Sequence, residues 1–228
     1  MKTSILFKET YFRAPLKCGT RSLRAYIGLA ADKDLLLNYK DNPWVATQKS
    51  RQFTYNAVVP YDYDIEGSNN YNKIYNEKLY FKDFNKFEDT NADLKTKILI
   101  IRDPITRFVS AFSMMRKNLY LEKELTMQKF IETFDQLMWE YGYHRSHFKP
   151  MTYAIGLDPN WYTHIYTLEQ MSEVKKHIEQ LCGYELPTIH INKGRDTEEI
   201  VNSLTEEQIN WIKQKYLIDY RVYGKFFA

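Results

Sequence analysis

The sequence predicts an α/β fold of three αβα layers around a central, mainly parallel sheet. Two strand–turn–helix junctions carry that expectation. The first reads YFRAPLKCGTRSLRAY over residues 11–26 and the second KILIIRDPITRFVSAFSMMR over residues 97–116. In the second, Ile98 to Ile101 form a continuous apolar run, as in a strand buried on both faces of a parallel sheet.

At the first junction, Tyr11 and Phe12 lead through Ala14-Pro15-Leu16 into Lys17, Cys18, Gly19, Thr20, Arg21 and Ser22, and a helical pattern follows. The N–H groups of a first helical turn lack intrahelical partners, and the helix dipole is positive there. Gly19 allows close approach of a ligand to the backbone. Lys17 and Arg21 add full positive charge, Thr20 and Ser22 add hydroxyls, and Cys18 lies in the same turn. These residues predict an anion site, for a phosphate in the first place. The Walker pattern GxxxxGK[ST] is absent, since one glycine lies in the turn and Lys17 precedes it.

At the second junction Asp103 is suited to cap a helix and Pro104 to its first position. Arg102 falls at the C-terminal end of the strand, where open α/β sheets bind ligands. Ser110 follows eight residues later, about two helical turns.

The pair LKCGTRSL and IRDPITRFVSAF resembles the sulfotransferases that use 3′-phosphoadenosine 5′-phosphosulfate (PAPS). In that family a P-K-x-G-T-T-S loop holds the 5′-phosphosulfate, and R-D-P-x-x-R-x-x-S holds the 3′-phosphate through its first Arg and its Ser. The resemblance implies a P-loop-like sulfotransferase fold, a 5′ site at Lys17, Gly19, Thr20, Arg21 and Ser22, and a 3′ site at Arg102 and Ser110. Leu16 stands where the family has Pro, and Arg21 replaces the second Thr. The guanidinium fork of Arg21 suits a sulfonate or phosphate. HFKPMTYAIG, YTHIYTLEQMSEV and LTEEQINWIKQKYLIDYRVYG look like segments of carbohydrate sulfotransferases more loosely.

The 228 residues suit one domain with acceptor-side loops within 38–77 and 142–160, because no Pro/Gly/Ser-rich linker divides them. A net charge of +3 from 32 basic and 29 acidic residues gives no reason to expect nucleic acid or a membrane surface. Two cysteines, Cys18 and Cys182, make no disulfide framework and suit a reducing compartment. No signal peptide or membrane span is visible, so a cytoplasmic enzyme is expected.

Along the chain, a first helix is expected over residues 20–37, broken by Asp41-Asn42-Pro43. A strand is expected at residues 51–60, a Tyr- and Asn-rich loop at 61–77 and a short strand at 79–84. By the resemblance, the catalytic base lies at the end of the strand before the Arg-Asp-Pro strand. No His precedes His144, so Asp83 is the candidate, with Lys82 beside it and Glu66 and Glu77 competing. A helix is expected over 125–141, with an apolar stripe of Phe130, Phe134, Leu137 and Met138. In the segment after it, His147 is a second candidate base, and Arg145 and Lys149 suit an acidic group. A strand at 161–167, a helix at 168–182 ended by Gly183, a β run over Leu186–Ile191 and a last helix opened by a Thr205/Gln208 capping box complete the pattern. Trp211, Ile212, Tyr216 and Tyr220 are expected to pack on the sheet. Lys193-Gly194-Arg195 suits a phosphate clamp.

The function expected is metal-free sulfuryl transfer from PAPS to an acceptor hydroxyl or amine, with a sugar or glycan favoured. Lys17 and either Asp83 or His147 would be catalytic. A P-loop kinase and a non-catalytic nucleotide-binding homologue are the alternatives; oligomeric state leaves no trace in the sequence.

Overall fold

The computed structural model describes residues 4–33, 94–119, 125–189 and 196–227. Strands β1 (Ser4–Phe7) and β2 (Thr10–Arg13) form an antiparallel hairpin. Its turn residues Lys8 and Glu9 take φ of 45° and 63°, the left-handed pair that tight hairpins need. In the sequence, residues 4–7 stood out only as a short apolar run, because four residues are too few to display a period. β3 (Thr96–Ile101) lies parallel to β2, and β4 (His164–Thr167) parallel to β3. Among the described residues the sheet order is β1-β2-β3-β4.

Among the described residues the helices are α1 (Thr20–Ala31), α2 (Pro104–Asn118), α3 (Met127–Glu132), α4 (Phe134–Glu140), α5 (Gly142–Arg145), α6 (Thr152–Ile155), α7 (Met171–Cys182), α8 (Thr197–Asn202), α9 (Glu206–Lys215) and α10 (Leu217–Tyr223). Tight 3-10 turns occupy Pro159–Trp161, Leu168–Gln170 and Gly224–Phe226. Alternation along β3 divides the core. Ile98 and Ile100 pack with Leu23 and Ile27 of α1 and Val174 and Ile178 of α7. Leu99 and Ile101 pack with Met151, Ile155 and Tyr223. Phe108 and Phe112 of α2 gather Phe130, Phe134, Phe148 and Tyr216 into a further aromatic cluster.

Several ends form where the side chains predict. Asp103 Oδ1 accepts from the N–H groups of Ile105 (2.9 Å) and Thr106 (3.0 Å), with Pro104 opening α2. Thr205 and Gln208 form the reciprocal box before α9. Gly183 ends α7 at φ 81°.

Other expectations are corrected. The first helix stops at Ala31, because Asp32 is extended; residues 34–37 lie outside the described residues, as do the strands and loop expected over 51–84. The helix expected over 125–141 divides at Thr133, whose hydroxyl donates to the Lys129 carbonyl (2.7 Å) and bends the path. The strand expected from Trp161 begins at His164, after the Pro159–Trp161 turn. Leu186 to Ile189 form no strand: the Leu186 N–H goes to Glu179 Oε1 (2.7 Å) and that of Ile189 to the Tyr26 hydroxyl (3.1 Å), so neither reaches a ladder. Trp211, Ile212, Tyr216 and Tyr220 pack on the aromatic cluster around α2 rather than on the sheet.

One face of α10 and the residue before it clamps the segment from Phe148 to Gly156. The Tyr216 hydroxyl donates to the Phe148 carbonyl (2.7 Å), and that of Tyr223 to the Gly156 carbonyl (3.1 Å). Asp219, wholly buried, accepts from the N–H groups of Met151 (2.7 Å) and Thr152 (2.9 Å). Tyr220 donates to Asp103 Oδ2 (3.0 Å) and so ties the same helix to the start of α2.

Asp219→Ala strands two buried N–H groups and is expected to cost about 3 kcal/mol in urea denaturation. Gly19 and Gly183 both take left-handed φ, but a Cβ at Gly19 would lie 2.6 Å from Leu168 Cδ1 and from Met171 Cε, whereas one at Gly183 meets nothing within 4 Å. Gly19→Ala should therefore cost about 2–4 kcal/mol and Gly183→Ala about 1 kcal/mol, compared in the same assay.

Candidate functional site

The parallel pairing of β2 with β3 sets the loop after Arg13 beside the chain leaving Ile101. Two arginines lock the junctions together. Arg107 Nε donates to the Leu16 carbonyl (3.0 Å), and Arg102 Nη1 to the Lys17 carbonyl (3.4 Å). The Cys18 N–H closes the turn on the Pro15 carbonyl (3.0 Å). Lys17 and Gly19 both have positive φ, 70° and 80°. Gly19 precedes α1 without a side-chain cap, so the first-turn N–H groups of Thr20, Arg21 and Ser22 meet no intrahelical acceptor.

The loop carries an excess of positive charge. Burial, then Arg102, Arg21 and Arg107, hold the Lys17 ammonium down to about 8. Burial likewise lowers Arg102, while Cys18, Glu169 and Asp103 oppose that shift. Arg107 is 2% exposed, and its buried Nη1 has no hydrogen-bond partner among the described residues. A polyanion of matching shape relieves both the like-charge repulsion and the unmet donor.

Arg102 Nε donates to Thr106 Oγ1 (3.1 Å). Thr106 and the half-buried Ser110 lie one turn apart on α2, so Arg102, Thr106 and Ser110 follow one edge of that helix. Thr106 is not among the residues the motif singles out, although it lies four residues after Arg102. The contact of Arg107 with the Leu16 carbonyl spans 91 residues and follows only from the fold.

Around the loop, Arg21 is exposed and Ser22 half-buried. The Thr20 hydroxyl donates within the loop, to the carbonyls of Ala14 (3.1 Å) and Pro15 (3.0 Å), so its backbone N–H is the group directed by the helix end. Cys18 is wholly buried, with its thiol pushed up to about 11 by burial and its Sγ 3.5 Å from Met151 Sδ. Its N–H is also engaged, so Cys18 shapes the turn and supplies no donor to a ligand. Gly19 meets Leu168 and Met171, which brings the turn carrying Glu169 against the loop.

His147 is 9% exposed and stands within electrostatic reach of Lys17 and Arg107. Burial, then Lys17, His144 and Arg107, hold its imidazole down to about 4, so it is neutral at pH 7. Lys149 is lowered by burial and then by Arg145, whose guanidinium donates to the Met138 carbonyl from Nε (3.2 Å) and Nη2 (3.0 Å).

The fold thus sets Arg102 and Arg107 against the turn that carries Lys17, Gly19, Thr20, Arg21 and Ser22, with His147 within electrostatic reach of Lys17 and Ser110 two turns along α2 from Arg102. Asp83, Lys82, Glu66, Glu77, Lys193, Gly194 and Arg195 lie outside the described residues. Among the described residues, no group of three or more His, Cys, Asp or Glu side chains converges as a metal site, and no helix is long and apolar enough to cross a membrane.

No curated protein and no solved structure matches the chain. A family model described as Sulfotransferase family matches residues 41–226. That span contains the Arg102–Ser110 segment and His147, begins after the Lys17 loop, and covers well over half of the chain. The chain belongs to the sulfotransferase family.

Proposed function

We propose that this protein transfers a sulfuryl group from PAPS to a hydroxyl or amine of an acceptor, with a sugar or glycan as the favoured class. The supporting observation is the crowding of cations at the loop. Lys17, Arg102 and Arg107 crowd the ends of two parallel strands, and Lys17 is held down to about 8 by burial and its cationic neighbours. A donor with a 5′-phosphosulfate and a 3′-phosphate offers several negative charges on two separated groups. The loop and the first turn of α1 suit the first group; Arg102, Thr106 and Ser110 suit the second.

Such a donor supplies an activated sulfuryl group on a phosphate leaving group. Lys17 stabilises negative charge on the bridging oxygen as the S–O bond to phosphate breaks, and Arg107 holds the loop that positions Lys17. The N–H groups of Thr20, Arg21 and Ser22 orient the transferred group in line with the acceptor oxygen. As the new S–O bond forms, the acceptor proton passes to a base. His147 is the described candidate, neutral and within electrostatic reach of Lys17; Asp83 remains the carboxylate candidate. No metal is required in this scheme, because the sulfuryl group carries less charge than a phosphoryl group. The same reading includes a three-layer, P-loop-like fold, one domain over residues 1–228, acceptor-side loops within 38–77 and 142–160, the Lys193–Arg195 clamp and a cytoplasmic setting.

Calorimetric titration with 3′,5′-adenosine bisphosphate, beside ATP and 5′-AMP, tests the donor. Binding should depend on the 3′-phosphate, and Arg102→Ala should weaken it about 10- to 100-fold, the loss expected for hydrogen bonds to a charged group. Equal affinity for 5′-AMP, or preference for Mg-ATP, would falsify the donor assignment.

Lys17 supplies a pH test. Above about pH 8 the free protein loses the Lys17 charge, while a bound polyanion favours the protonated form. Affinity should therefore fall between pH 7.5 and 9.5, by about tenfold. Lys17→Arg should flatten that fall, because guanidinium stays charged throughout.

A further inference from the structure

Away from the anion loop, two imidazoles meet where α7 lies against β4. The ring centroid of His164, which opens β4, is 4.7 Å from that of His177 in α7, with the planes at 66°. Tyr166, two residues along the same strand face, stacks towards His164 at 12°, and its hydroxyl lies 2.7 Å from Nε2 of His177. All three side chains are half-buried. The hydrogen bonds assign the tautomer of His164. Thr163 Oγ1 donates its one proton to the Lys97 carbonyl (3.0 Å) and accepts from the Lys97 N–H (2.9 Å). In its contact with His164 Nδ1 (2.9 Å) the imidazole N–H is therefore the donor. Nε2 of the neutral His164 ring then carries a lone pair. A metal-binding imidazole has this arrangement, with one nitrogen donating to an orienting oxygen and the other facing the ion. The Tyr166 hydroxyl can accept from Nε2 of His177 in the same way, leaving Nδ1 for an ion. Burial first, and then His164, lower His177 against the opposing Glu173, so this ring is neutral at pH 7. The spacing fits as well. An ion about 2.1 Å from each nitrogen, with the ring centres about 1.1 Å beyond, sets two imidazole centroids about 4.5–5.3 Å apart for angles of about 90–110° at the ion.

We propose that His164 and His177 form a two-imidazole site for a borderline divalent ion of the Zn²⁺ type, which clamps α7 onto β4. Imidazole nitrogen selects such ions over Mg²⁺ and Ca²⁺, which prefer oxygen. Two protein ligands leave the rest of the coordination shell to water. Glu173, one turn before His177 on the same face of α7, offers a carboxylate once it releases the exposed Lys176 ammonium (3.0 Å), a contact of little net worth. The ion takes no part in sulfuryl transfer, and the proposal is independent of the donor reading. His164 pairs with Ile98, about 10 Å of strand before the Ile101 end that leads to Arg102. The clamp instead joins the two elements on either side of the Leu168–Gln170 turn, and Leu168 and Met171 are the residues that fill the space beside Gly19.

The experiment is a calorimetric titration of the full chain with Zn²⁺ alone, in a background of excess Mg²⁺ that occupies oxygen sites. Saturable binding is expected, weakened at least about tenfold by His164→Asn and by His177→Asn, and about tenfold by Tyr166→Phe, which removes the oxygen that orients His177. Thermal unfolding should shift upward with Zn²⁺ in the wild type and not in the two Asn variants, since an ion that binds only the folded chain stabilises it. The protein has five histidines, so imidazole NMR of the wild type gives a reading that needs no folded variant: one equivalent of Zn²⁺ should move the resonances of His164 and His177 together. No saturable binding, an affinity that both Asn variants leave unchanged, or shifts confined to other histidines overturns the site.

Discussion

The structure depends on two guanidinium groups that hold the carbonyls of a neighbouring loop. Arg107 and Arg102 leave one strand–helix junction and donate to Leu16 and Lys17 in the other. A main-chain carbonyl is a modest counterpart for a buried cation, so these contacts fix geometry without neutralising charge. The loop is held in place and strongly cationic. A site of that kind binds anions because the cost of assembling its charges was already met during folding, by packing elsewhere in the molecule.

That packing is traceable. The segment carrying His147 has little regular structure; α5 and α6 are four residues each. Its backbone groups cannot satisfy one another over so short a length, and one helical face supplies what is missing. Tyr216, Asp219 and Tyr223 reach its main chain, while Tyr220 reaches Asp103. The spacing of these four residues, three, four and seven apart, is that of one helix face. The last helix thus sets both the candidate base and the cap that aims Arg102, although neither lies near it in sequence.

What the sequence made legible follows from how local each signal is. Asp103 capping α2 ahead of Pro104, the Thr205/Gln208 box and Gly183 closing α7 are interactions within four residues, and all three formed as expected. The hydrophobic run at Ile98–Ile101 is equally local. Leu186–Ile189 was misjudged because its partners, Glu179 and Tyr26, satisfy N–H groups that its apolar composition promises to a ladder. Tyr216 and Tyr220 were misjudged because an aromatic on a helix declares only that it is buried, not that its hydroxyl reaches a carbonyl or carboxylate. In the site, the motif singled out Arg102 as a candidate, but the buried Nη1 of Arg107, without a hydrogen-bond partner among the described residues, and the internal use of the Thr20 hydroxyl exist only once β2 and β3 are paired.

Gly19 shows how such long-range constraint can hide inside a motif. A glycine in a phosphate-type turn suggests that a ligand passes close to the backbone. Here the space a side chain would need is already filled by Leu168 and Met171, 2.6 Å from the position of a Cβ. Those residues open the segment that follows β4, so the glycine lets a third strand–helix junction close upon the first two. That closure brings Glu169 toward Arg102, where its charge favours the protonated guanidinium against desolvation. The three junctions therefore act together: two concentrate positive charge, and the third sets the Glu169 carboxylate against the pull of burial on Arg102, while Lys17 is held down to about 8 by burial and its cationic neighbours. An arriving anion acts most strongly on a cation already held down by like charges, and Lys17 is such a group.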